Sequence, residues 1–138
     1  MSGINPIISP WTADITQDPQ KGHTSGAETI DIAGAVIEEG RAILIWSTAF
    51  ARRPSDGAVK AVFVRSLLKR QGGVLTLCDQ QQPAAIGTAA DLVALSGAAT
   101  SMVMVGDTAW MRCVGLAGME LDWGVDHRGW YVQIGVAP

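Results

Sequence analysis

The sequence has few charged residues, and the two signs nearly balance. Of its 138 residues, 10 are Lys or Arg and 13 are Asp or Glu, which gives a net charge of −3. Proteins that bind nucleic acid or an anionic membrane surface usually carry an excess of basic residues, so we expect neither partner. Basic residues cluster at 65–70 and 52–53 without the interleaved aromatic side chains of single-strand binders, which favours a solvated or subunit-facing edge.

The sequence also lacks a long hydrophobic run. Its most apolar stretch is RAILIWSTAF at residues 41–50, far shorter than the ~18 residues that a membrane-spanning helix needs. The first ten residues, MSGINPIISP, have neither the basic region nor the apolar core of a signal peptide. We therefore expect no membrane insertion, and synthesis in a cytoplasm without secretion by a signal peptide.

Residues for acid-base or metal chemistry are scarce. There are two histidines and two cysteines, and the motifs HExxH, CxxC, GxSxG, GxxxxGK and GxGxxG are absent. The densest polar group matches no established cation-binding loop and is better explained as a solvated turn; it consists of Asp122, Asp126, His127 and Arg128. We expect no catalytic residue, no cofactor and no metal ion, and hence a protein that is not an enzyme.

The chain length fits one domain preceded by an arm. Residues 1–28 hold three prolines and show no sustained apolar period, which predicts an extended arm, and residues 29–138 are interpreted as a single β-rich domain. The arm carries hydrophobic side chains that would be unfavourable on a free tail. We interpret them as assembly contacts with the chain's own domain or a neighbouring subunit: Ile4, Ile7, Ile8, Trp11 and Ile15.

The balance of apolar and charged residues indicates self-association. Hydrophobic residues make up 48% of the chain and charged residues only 17%. This leaves less polar material than a lone small domain usually presents to water, and the surplus apolar surface is most simply buried against other subunits. We therefore expect a homo-oligomer.

Between residues 29 and 83 the sequence predicts β-strands separated by turns. The predicted strands cover residues 29–37, 41–50, 58–68 and 74–78, and the turns cover residues 38–40, 52–57 and 71–73. The first strand alternates apolar and polar residues, as expected of a strand with one buried face. Residues 41–50 are apolar almost throughout, which favours a strand covered on both sides over a short buried helix.

One short helix and a β-meander are predicted in the second half. The helix covers residues 88–95, where the Thr88 hydroxyl can cap the first turn and Asp91 follows three residues later. Residues 102–136 then show four strand-like runs separated by glycine-bearing turns at 106–107, 115–118 and 124–129. The predicted fold is all-β, with mainly antiparallel hairpins in a small sandwich or barrel, one short helix and an extended N-terminal arm.

Four aromatic residues fall in the predicted meander: Trp110, Trp123, Trp130 and Tyr131. On neighbouring strands they could form a stacking platform for a sugar ring, or the core and interface of a small β-domain. Their sequence neighbours are mostly apolar, which favours the core and interface interpretation. A carbohydrate-binding module whose ligand is a surface glycan is the alternative function.

The last third of the chain resembles small β-rich modules of tailed-phage virion proteins. The similarity covers TAADL at residues 88–92, VGDTAW at 105–110 and GWYVQIG at 129–135. These match a short capped helix, a Gly-Asp turn into a strand and a terminal strand that begins with Gly-Trp. Residues 115–128 depart from the pattern, because such modules often have a simple turn there.

The resemblance implies a structural role in a virion. The expected function is that of a non-enzymatic component of a phage or phage-like particle, as a capsid-decoration, head-spike or tail-fibre protein. It would act by oligomerisation, as a homotrimer, and by docking on other virion proteins.

Overall fold

The computed structural model describes residues 13–16 and 20–134, which form two antiparallel β-sheets and one short helix, α1 (Ala89–Ala94). The larger sheet contains β1 (Ala13–Thr16), β2 (Gln20–Ser25), β4 (Arg41–Arg53), β5 (Ala58–Gln71), β6 (Val74–Gln81) and β9 (Glu120–Gln133). The smaller sheet contains β3 (Thr29–Val36), β7 (Ala99–Val105) and β8 (Thr108–Val114). The order in the large sheet is β1-β9-β4-β5-β6, with β2 paired to β9 as well, and the order in the small sheet is β3-β8-β7.

The core forms between the two sheets, because each presents one apolar face to the other. The small sheet contributes buried residues from β3 and β8, and the large sheet contributes buried residues from β4, β5 and β9: Ile32, Met111, Cys113, Ala49, Val64, Leu121, Trp123 and Val125. This is the packing of a β-sandwich. The all-β prediction with one short helix is therefore confirmed.

Most of the predicted turns are present where the sequence places them. Gly40, Gly57 and Gly106 all adopt positive φ values, of 79°, 76° and 62°, that other residues rarely tolerate. At the helix, the Thr88 hydroxyl accepts a hydrogen bond from the Asp91 amide at 3.1 Å, as the capping pattern predicts.

The predicted turn at residues 124–129 is wrong, and so is the four-stranded meander. Residues 120–133 form the single strand β9, which pairs with β4 on one side and with β2 and β1 on the other. Backbone hydrogen bonding on both sides stabilises an extended chain despite Gly124 and Gly129. Because β8 belongs to the other sheet, the meander does not continue past it, and Asp122, Asp126, His127 and Arg128 are strand residues rather than a turn.

Part of the segment expected to be an arm belongs to the large sheet. Strand β2 pairs along β9 from Gln20, opposite Val125, to Ser25, opposite Glu120. Ile15 lies in β1, where its backbone pairs with Gly129. The other expected assembly contacts lie outside the described residues: Ile4, Ile7, Ile8 and Trp11.

Candidate functional site

The four aromatic residues singled out in the sequence do not form one surface. Trp110 lies in the small sheet, where its ring covers Gly34 so closely that a Cβ atom there would sit 2.7 Å from it. Trp123 is buried, and its Nε1 donates a hydrogen bond to the Thr24 hydroxyl at 3.0 Å. Trp130 and its successor Tyr131 extend from opposite faces of β9, because successive side chains of a strand alternate.

An apolar surface does exist, on the side of the large sheet that faces away from the core. We call it the outer face and define it by six exposed hydrophobic side chains: Leu44, Trp46, Phe50, Val59, Leu67 and Ile86. Their exposed fractions range from 36% for Leu44 to 63% for Ile86. Monomeric soluble proteins rarely expose contiguous apolar patches larger than a few hundred Å², and the largest patch on a monomer is often a binding surface.

Strand register brings these residues together. Leu44 of β4 pairs with Leu67 of β5 on one side and with Trp130 of β9 on the other. Two residues further along β4, Trp46 pairs with Arg65 and Arg128. Residues directly opposite each other on adjacent strands extend to the same side of the sheet, so each pair adds to one continuous surface.

The outer face corrects the prediction for residues 41–50. Alternate residues of β4 are buried, at Ile43, Ile45 and Ala49, while Trp46 and Phe50 between them are 46% and 53% exposed. The strand is therefore covered on one side only. Sequence pattern could not show this, because the residues of both faces are largely apolar.

Trp46 is the centre of the outer face. The edge of the Trp130 ring meets it at 6.3 Å between centroids and 81° between planes, and the Arg65 guanidinium lies 4.6 Å from its centroid. Edge-to-face aromatic contacts and a cation over the ring are both favourable. Two shallow cavities of about 390 and 280 Å³ flank Trp46, one extending to Ile86 and the other to Asp79 and Gln81 on β6.

A charged cluster borders the outer face where β2 meets β9. His23 lies 2.9 Å from an Asp122 oxygen through Nδ1 and 3.0 Å from a Glu120 oxygen through Nε2. Asp122 also accepts a hydrogen bond from Arg52 at 2.9 Å. The hydrogen bonds to Glu120 and then Asp122 raise the pKa of His23. In return His23 lowers the pKa of Glu120, and Arg52, followed by His23, lowers the pKa of Asp122.

A second histidine, His127, is fully buried between the sheets. Its Nε2 lies 2.7 Å from the Ala33 carbonyl oxygen, and its Nδ1 lies 2.7 Å from the Ser47 hydroxyl. Because a carbonyl can only accept, Nε2 carries the proton and Ser47 donates to Nδ1. Burial lowers the pKa of His127, which keeps the ring neutral.

This serine–histidine pair is a structural contact rather than a nucleophile and its base. Ser47 and His127 are 2% and 0% exposed, so a substrate has no access to either. A catalytic pair also needs a group that orients the base and stabilises its charged form, whereas the second nitrogen of His127 binds a neutral backbone carbonyl. The contact joins β4 and β9 of the large sheet to Ala33 of the small sheet.

Neither metal ligands nor a membrane-spanning helix is found in the part of the chain that the structure describes. No group of three or more His, Cys, Asp or Glu side chains there could hold a metal ion. None of its helices is long and apolar enough to cross a membrane.

Comparison with known proteins yields a similarity to a solved structure. No protein-family model matches the chain, and no curated protein is significantly similar to it. Among solved structures, the tailspike protein of Acinetobacter phage vB_ApiP_P1 is similar over 83% of this chain, with a TM-score of 0.51 and 11% sequence identity. The similar region is 22% of the tailspike chain, so this protein matches about one fifth of that protein's length and shares its fold there.

Proposed function

We propose that this protein is a non-enzymatic structural component of a phage or phage-like particle, as a decoration, head-spike or tail-fibre protein. It acts by binding further copies of itself and other virion proteins. The observation that carries the proposal is the exposed apolar outer face. The similarity of the fold to part of a phage tailspike supports a location in the virion.

The size of the outer face supports a binding role. Across the sheet, β9, β4 and β5 with either β6 or Ile86 beside them span three spacings of ~4.8 Å, and the eight residue steps from Leu44 to Arg52 span ~27 Å. The product is ~400 Å² of sheet surface, which includes Arg65 and Arg128 as well as the apolar side chains. The largest apolar patch on a typical monomer is ~300–600 Å² and is often functional. Burial of the apolar part stabilises an assembly by ~25 cal/mol per Å² before the costs of association.

The assembly proposed is a homotrimer. The low charge content predicts self-association, and the outer face is the exposed apolar surface through which the copies associate in this proposal. A face that binds a different surface on the next copy produces a heterologous contact, and such contacts close into rings when the rotation between copies permits. A ring of three is the arrangement proposed here.

Association is tested by the mass of the purified protein in solution. The wild-type protein should have a mass of three times 14.5 kDa. Phe50→Glu places a charge on the outer face and should reduce the mass to that of one chain, because an unpaired charge is costly to bury. Val105→Glu is the matched control, since Val105 is 60% exposed on the small sheet, and it should keep the wild-type mass.

A wild-type protein with the mass of one chain would contradict the proposal, and so would a Phe50→Glu variant that assembles like the wild type. Circular dichroism of each variant shows whether its β-structure is intact. Mass spectrometry of purified particles tests the virion location directly.

A carbohydrate-binding role is the second candidate, and one observation favours it. Trp46 is 46% exposed and is bordered by a cavity that carries Asp79 and Gln81, and sugars bind where an aromatic face meets polar side chains. Of the four aromatic residues first considered, Trp130 contacts Trp46 on this surface, whereas Trp123 is buried. A Trp46→Ala variant that loses glycan binding but keeps its mass would favour this candidate.

A further inference from the structure

The outer face matches an extended segment in size better than it matches a folded partner. Stable interfaces between folded surfaces bury ~800 Å² on each side, about twice the ~400 Å² of the outer face. An extended segment of eight residues is ~27 Å long, the length of the face from Leu44 to Arg52. At the ~10 Å sheet-packing distance for its width it covers ~270 Å², most of the face.

The chain contains a segment with suitable chemistry. Residues 1–12, MSGINPIISPWT, include no charged side chain. Their hydrophobic members are Ile4, Ile7, Ile8 and Trp11, beside Met1. Pro6 and Pro10 fix their own φ and favour an extended conformation in the residue before each, so the segment loses less entropy when it binds as an extended chain.

The direction of β1 favours a neighbouring copy, rather than the same copy, as the partner of this segment. Ala13 pairs with Trp130, whose other neighbour across the sheet is Leu44. Because β1 runs antiparallel to β9, Ala13 is the end of β1 nearest Gln133, whereas the outer face extends from Leu44 in the opposite direction to Phe50. A neighbouring copy can be reached without a reversal of the chain.

We propose that residues 1–12 of one copy bind the outer face of a neighbouring copy. Isoleucine and tryptophan side chains of the segment fill the two cavities beside Trp46. This inference rests on the proposed function, since it names the partner of the same surface. The contact is heterologous, so each copy both donates a segment and accepts one, as a ring of subunits requires.

Two full-length variants test the inference. Ile7→Asp/Ile8→Asp disrupts the segment and leaves the outer face intact, while Phe50→Glu does the reverse. Each alone should have the 14.5 kDa mass of one chain. Mixed in equal amounts, they should form a heterodimer of twice that mass, because one intact segment and one intact face remain.

The control for the segment is Ser2→Asp/Gly3→Asp, which adds the same charge outside the hydrophobic stretch at residues 4–11 and should keep the wild-type mass. Ile86→Glu replaces Phe50→Glu if that variant does not fold. Failure of the mixture to form a heterodimer would overturn the inference. If Ile7→Asp/Ile8→Asp stays assembled while Phe50→Glu does not, the proposed function stands and the inference falls; a monomeric wild type removes both.

Discussion

The buried His127 offers the sharpest test of how the two sheets are held together. We consider replacement by leucine, which has a similar volume and cannot form hydrogen bonds. The change deletes two contacts of 2.7 Å and leaves the Ser47 hydroxyl and the Ala33 carbonyl without their partner. A buried polar group left without a partner costs ~1–3 kcal/mol. The better burial of leucine offsets part of this, so His127→Leu should lower the free energy of unfolding by ~2–4 kcal/mol.

Ala33 gives this contact a further role. It has a positive φ of 59° and lies where the register of β3 against β8 shifts between Ile32 and Ala35. A non-glycine residue in this conformation costs ~1 kcal/mol or more, and the hydrogen bond from His127 favours it. Loss of the bond should therefore loosen β3 at this point, which hydrogen exchange of the amides in β3 would show as faster exchange.

The assay is urea unfolding followed by tryptophan fluorescence, at one protein concentration because the stability of an oligomer depends on it. Ser47→Ala is the matched control and should cost ~1–2 kcal/mol, since it removes a single hydrogen bond. The double variant Ser47→Ala/His127→Leu should lose less than the sum of the two single losses, because they share one contact.

The pH dependence of the free energy of unfolding gives an independent test of the His127 contact. Burial lowers the folded-state pKa of His127 below its ordinary value of 6.5, so the unfolded chain binds the proton more readily. Stability from the neutral ring is fully present above pH 6.5 and is lost as the pH falls from 6.5 through the folded-state pKa. The His127→Leu variant should lack this loss. A change in unfolding free energy of less than ~0.5 kcal/mol, or an unaltered pH profile, would refute the reasoning.

Two further predictions concern other residues. The pKa of His23 is raised above 6.5, so the stability that its ion pairs contribute should be complete below pH 6.5 and disappear as the pH rises through the folded-state pKa. Urea midpoints of the wild type and the His23→Gln variant should therefore differ more at pH 6 than at pH 8. Equal differences at both pH values would show that the bridge to Glu120 and Asp122 contributes nothing. Trp123→Ala should lower the free energy of unfolding by ~3–5 kcal/mol, because a large buried ring and a hydrogen bond to Thr24 are lost. Thermal melts of the variant that match those of the wild type would contradict the burial of Trp123 in the core.

Local chemistry determined the elements that the sequence predicted well. A turn such as the one at Gly57 depends on the positive φ that glycine tolerates, and the start of α1 depends on the Thr88 hydroxyl and an amide three residues away. In β8 the alternation of side chains places Met111 and Cys113 on one face, and both are fully buried. These features involve residues close in sequence, so composition and spacing suffice to predict them.

Only the tertiary structure decided that β9 is one continuous strand and which side of β4 forms the outer face. Gly124 and Gly129 resembled turn residues, and pairing of β9 on both sides keeps them extended instead. The apolar residues of β4 did not reveal which side faces the core, and so the exposure of Trp46 was missed. Both outcomes depend on partners about 80 residues away in the chain, such as His127 opposite Ser47. Strand register sets which side chains share a face, and register follows from contacts that no local pattern contains.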